Sequence, residues 1–129
     1  MELKLDVAFA WYNLGFLGGG KVSDKAYTKK ECCEQVLHHT PDDASAWEAL
    51  GVVGGGEVYE KAYTKKECYE QALHHKPDGA SAWFNLGYQG GGKVSGKAYS
   101  KKECYEQALQ HELDHADSWC NLGDRKSVV

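Results

Sequence analysis

The sequence predicts an all-α chain built from stacked antiparallel helix pairs, about 3.5 repeats and seven helices in all. Two observations carry this. Four tryptophans, Trp11, Trp47, Trp83 and Trp119, stand 36 residues apart, and the glycine triplets at 18–20, 54–56 and 90–92 keep the same interval. Periods of this size mark stacked supersecondary units, so the repeat outranks any local signal. The second observation is a ten-residue stretch, TKKECYEQAL at 64–73, which recurs as SKKECYEQAL at 100–109 and as TKKECCEQVL at 28–37. Its residues are good helix formers. The chain reads as a single array over 1–129, with repeats at 7–42, 43–78 and 79–114 and a half-repeat at 115–129.

Each repeat opens with a tryptophan helix. In the middle copy Asp42 or Asp43 can cap it just after Pro41, and Trp47, Leu50 and Gly51 share one face at i, i+3, i+4. The triplet Gly54-Gly55-Gly56 ends it, because each glycine costs about 1 kcal/mol relative to alanine in a helix. The residues that follow hold one apolar anchor before an Ala-Tyr pair (Val22, Val58 or Val94), and read as an ordered loop.

The second helix begins with a capping box: Thr28 with Glu31, Thr64 with Glu67, Ser100 with Glu103. Tyr27, Tyr63 and Tyr99 precede the caps, and Cys32, Cys68 and Cys104 follow at the spacing of a hydrophobic staple. Tyr69, Ala72 and Leu73 share a face, and His74 and His75 suit a helix C-terminus. At the ends, residues 1–6 read as the tail of a preceding unit. Val7 and Phe9 stand before the first tryptophan with nothing to cover them, which leaves that end open to self-association. The polar Asp124-Arg125-Lys126 suits a solenoid cap.

Composition narrows the function classes. Fifteen basic and 19 acidic residues give a formal charge of −4, which argues against a nucleic-acid surface. No apolar run approaches a membrane span and the N-terminus lacks signal-peptide character. Five cysteines, three of them one per repeat, fit free thiols in a reducing, cytoplasmic setting better than a disulfide framework.

The chemical motifs resolve into structure. Gly15-x-x-x-x-Gly20-Lys21 and Gly87-x-x-x-x-Gly92-Lys93 come close to a P-loop, but Val22 and Val94 stand where a Ser or Thr must hold magnesium. Adjacent histidines, as at 38–39 and 74–75, point about 100° apart on a helix and do not chelate together. The repeated cysteines, close to a helix N-terminus and two lysines, could have lowered pKa values, but the staple spacing reads them as buried structural thiols. No catalytic constellation, metal site or cofactor is expected.

Trp47-x-x-Leu50-Gly51, then Tyr69-x-x-Ala72-Leu73, then Pro77, resembles the tetratricopeptide repeat, as do Trp83, Leu86, Gly87, Tyr105, Ala108 and Leu109 in the next copy. That resemblance implies helical hairpins in a right-handed superhelix, and a protein-binding scaffold with a concave groove lined by the first helix of each pair. The chain departs from the family pattern in its 36-residue period, in Gly54 at an aromatic position, in Lys65 at an alanine position, and in Cys33 and Val36 at the tyrosine and alanine positions of the first copy. The groove residues implied are Tyr12, Asn13, Phe16, Glu48, Val52, Phe84, Asn85, Tyr88 and Asn121. The groove face of the first helices carries aromatics and acids but no Lys or Arg, so a protein or peptide segment of apolar or basic character suits it better than a terminal carboxylate. An RNA-binding helical array and a self-assembling repeat module are the alternatives; the first would need a basic groove.

Overall fold

In the computed structural model, which describes residues 6–111, each repeat is a helix, a two-stranded hairpin and a second helix. The first copy runs α1 (Asp6–Phe16), β1 (Gly19–Val22), β2 (Lys25–Thr28) and α2 (Lys29–His39). The second runs α3 (Ala44–Val52), β3 (Gly55–Val58), β4 (Lys61–Thr64) and α4 (Lys65–His75). The third runs α5 (Ala80–Tyr88), β5 (Gly91–Val94), β6 (Lys97–Ser100) and α6 (Lys101–His111).

The expected all-α class is therefore wrong. The described residues are 58% helical and 23% strand, with six helices and three antiparallel two-stranded sheets, so the fold is mixed α/β. The seventh helix expected over 115–129 lies outside the described residues.

The segments read as ordered loops are the hairpins. Val22 pairs with Lys25, Val58 with Lys61 and Val94 with Lys97, which leaves two residues to turn the chain. Ser23 and Asp24 take positive φ (50° and 67°), as do Tyr59 and Glu60 (51° and 66°) and Ser95 and Gly96 (50° and 85°). Positive φ at both central positions is the type I′ arrangement, whose twist matches that of the paired strands.

The glycine triplet makes this connection possible. Val53 closes α3, and Gly54 donates its N–H to the Gly51 carbonyl at 2.9 Å in a left-handed turn with φ 107°. Gly55 has φ 94° and crosses so close to the partner strand that a Cβ there would stand 2.4 Å from the Tyr63 carbonyl oxygen. The third glycine clears space for the previous repeat: a Cβ on Gly56 would meet Glu34 Oε2 at 2.5 Å. That carboxylate accepts the Glu57 N–H at 2.8 Å, and Glu70 accepts the Lys93 N–H at the same distance.

The helix caps follow the sequence closely. All three capping boxes close in both directions, with bonds of 2.8–3.1 Å. Asp43, not Asp42, caps α3, accepting from the Ala46 N–H at 3.1 Å. The tyrosines before the caps also make a pairing that the staple spacing does not predict. Tyr27, Tyr63 and Tyr99 meet Trp11, Trp47 and Trp83 edge to face, with centroids 4.6–4.7 Å apart. The hairpin turns each tyrosine toward the tryptophan helix, and Lys25, Lys61 or Lys97 covers its ring at about 5 Å. Cys32 and Cys104 back onto the first helix of their repeat: Cys32 Cβ is 3.0 Å, and Cys104 Cβ 3.1 Å, from where a Cβ on Gly15 or Gly87 would stand.

By contact density the chain divides into two compact units, residues 1–68 and 69–129. In the first, Leu37, Trp47 and Leu50 form the buried centre with Cys32 and Cys68. In the second, Leu73, Trp83, Leu86 and Tyr105 do so. Trp47 and Trp83 also donate their indole N–H to the Pro41 and Pro77 carbonyls at 2.8 Å, tying each tryptophan helix to the turn before it.

Candidate functional site

The candidate site is the α1–α3 face of the first unit. Helical spacing places Tyr12 and Phe16 one turn apart on α1, flanking the face that carries the buried Gly15. Tyr12 is 40% exposed and Phe16 78%. Single exposed apolar residues need no explanation, but these two edge a cavity.

That cavity has a volume of about 90 Å³ and lies among α1, α2 and α3. Trp11, Tyr12, Gly15 and Phe16 line it from α1, Lys29, Cys33 and Val36 from α2, and Ala49 from α3. Its walls are mainly apolar. Lys29 supplies a cation that the exposed faces of α1 and α3 do not carry. Cys33 is only 7% exposed, and burial pushes its thiol pKa up to about 11, against the pull of the Lys29 ammonium. It is a neutral wall group rather than a nucleophile.

A second, wider cleft of about 390 Å³ opens on the other side of Tyr12. Phe9 and Tyr12 line it from α1, Thr40 and Asp43 from the α2–α3 turn, and Ser45 from α3. Tyr12 is thus the partition between a small apolar cavity and a larger, partly polar cleft with a carboxylate in its wall.

The other expected groove residues fall differently. Asn13 is exposed, Glu48 half-buried and Val52 exposed; none of the three lines either cavity. Phe84, Asn85 and Tyr88 belong to the second unit. There Phe84 packs on Tyr105 (centroids 5.6 Å) and stacks with Tyr88 at 6.4 Å, which makes it in part a packing residue. Asn121 lies outside the described residues. Lys29 was missed, because the helix that carries it was assigned to packing alone.

The remaining chemical features are the cysteines and the histidines of the second helices. Cys32, Cys33, Cys68 and Cys104 are buried free thiols. Burial and the neighbouring Glu67 carboxylate push Cys68 up to about 12, the reverse of the lowering that nearby lysines could cause. Burial, then Glu31, also raises Cys32. His38 and His39 lie edge to face rather than converging, and His74 Nδ1 pairs with Ser95 Oγ at 3.1 Å. Among the described residues no group of three or more His, Cys, Asp or Glu side chains is arranged to hold a metal ion, and no helix is long and apolar enough to cross a membrane. Neither a family model nor a curated protein matches the chain.

Proposed function

We propose that the chain is a non-enzymatic interaction scaffold acting in a reducing, cytoplasmic setting. It takes a protein segment of apolar or basic character along the α1–α3 face of the first unit. The observation that carries this is the position of Tyr12 between the 90 Å³ cavity and the 390 Å³ cleft. An apolar side chain suits the first space, and a basic one suits the second, where Asp43 contributes a carboxylate. A side chain seated beside a half-exposed tyrosine has the character of a binding hot spot, which typically costs 2 kcal/mol or more when truncated.

Peptide-array screening followed by titration calorimetry tests the reading. Tyr12→Ala should weaken the best ligands by about tenfold or more, equivalent to about 1.4 kcal/mol. Unchanged affinity in that variant, with binding mapped to the lysines of the hairpins, would show that the face is not the binding surface.

A further inference from the structure

The three repeats are nearly identical, so the place where one differs is informative. Position 33 holds cysteine where the matching positions hold Tyr69 and Tyr105, both buried. In the third repeat the Tyr105 ring lies against the glycine of the first helix: a Cβ on Gly87 would stand 2.9 Å from Tyr105 Cε1. In the first repeat the matching glycine has no ring over it. The nearest atoms to a Cβ on Gly15 are Cys32 Cβ at 3.0 Å and the Lys29 carbonyl oxygen at 3.7 Å. The space the ring would occupy is the 90 Å³ cavity, which Gly15 and Cys33 both line. Val36, standing where the other repeats have Ala72 and Ala108, recovers part of the lost volume but leaves the cavity open.

We infer that this cavity is a receptor for a single aromatic ring, supplied by a Tyr or Phe side chain of the bound segment. The ring would take the place that Tyr105 fills from within its own repeat. The walls suit it. Trp11, Tyr12 and Phe16 offer aromatic edges and faces, and aromatic pairs contribute about 0.5–1.5 kcal/mol beyond the area they bury. The Lys29 ammonium favours the electron-rich face of such a ring. Entry is from the side of Tyr12 and Phe16, which are exposed.

The inference rests on the segment-binding reading, and p-cresol, the isolated tyrosine side chain, separates the two. Titrated into the unaltered protein and followed by two-dimensional NMR, p-cresol should give saturable shifts at Gly15, Val36 and the Trp11 indole. The paired change C33Y/V36A restores the arrangement of the other repeats. It should fill the cavity and weaken p-cresol by about tenfold or more. V36A alone enlarges the space and should keep the binding. Shifts that do not saturate, shifts centred elsewhere, a C33Y/V36A protein that binds p-cresol as before, or loss of binding in V36A would each overturn the ring site. Should p-cresol bind while no peptide does, the ring site stands and the segment reading falls. Should peptides bind in a Tyr12-dependent way while p-cresol does not, the reverse holds.

Discussion

Gly54 and Gly55 have nearly the same backbone angle but different surroundings. At Gly54 a Cβ would enter open space, so Gly54→Ala meets only the cost of a left-handed alanine, about 1 kcal/mol. At Gly55 the same change adds a clash 2.4 Å from the Tyr63 carbonyl oxygen, and backbone cannot move aside as a side-chain tip can. Gly55→Ala is expected to cost about 2–4 kcal/mol. Urea melts of the two variants check the difference; equal losses would mean that strand and turn shift together to make room. The sequence showed plainly that the triplet ends a helix. It did not show that its members cap the helix, cross the partner strand and clear space for Glu34. Those roles depend on distances between segments up to 23 positions apart. Cys33 was legible in the same partial way: its departure from the repeat is visible in the letters, but the volume it leaves empty is not.

The hairpins are the elements that sequence reasoning missed. Only Ser95-Gly96 offers a familiar two-residue turn signal, whereas Ser23-Asp24 and Tyr59-Glu60 are poor hairpin pairs by composition. The resemblance to a helix-pair family also supplied a template without strands. Tyr59 shows how an unfavourable turn residue is held: its ring lies 5.1 Å from that of His38, and its hydroxyl donates to the His38 carbonyl. By contrast the second helices were legible throughout, because caps and i, i+3, i+4 faces are local properties. Each hairpin is fastened to its tryptophan helix through one aromatic pair. A double-mutant cycle on Trp47→Leu and Tyr63→Leu should give a coupling of about 1 kcal/mol. A coupling near zero would shift the fastening role to the backbone contacts of the glycine triplet.

For the molecule as a whole, the buried thiols set a pH limit. The ordinary thiol value is 9.0, whereas Cys33 is pushed up to about 11 and Cys68 to about 12 when folded. Between these values the unfolded chain has lost protons that the folded chain keeps, so the unfolded state binds fewer. Stability from this source is full below pH 9 and is lost as pH rises through about 11 for Cys33 and about 12 for Cys68. The urea midpoint should therefore decline over that window, and Cys68→Ala should make the decline shallower; an unchanged slope would show that this thiol does not set the limit. The carboxylates of Glu34 and Glu70 have a consequence of another kind. Each reaches forward from the second helix of one copy to the backbone of the next copy's hairpin. The first and second copies thus carry a plug on the second helix, and the second and third carry the matching socket in the hairpin. Duplicating or deleting one whole cassette keeps plugs and sockets matched, whereas an insertion of any other length between them misaligns the pair. The array thus has an arrow, and the period itself is the quantity that the chain must conserve when it grows or shortens.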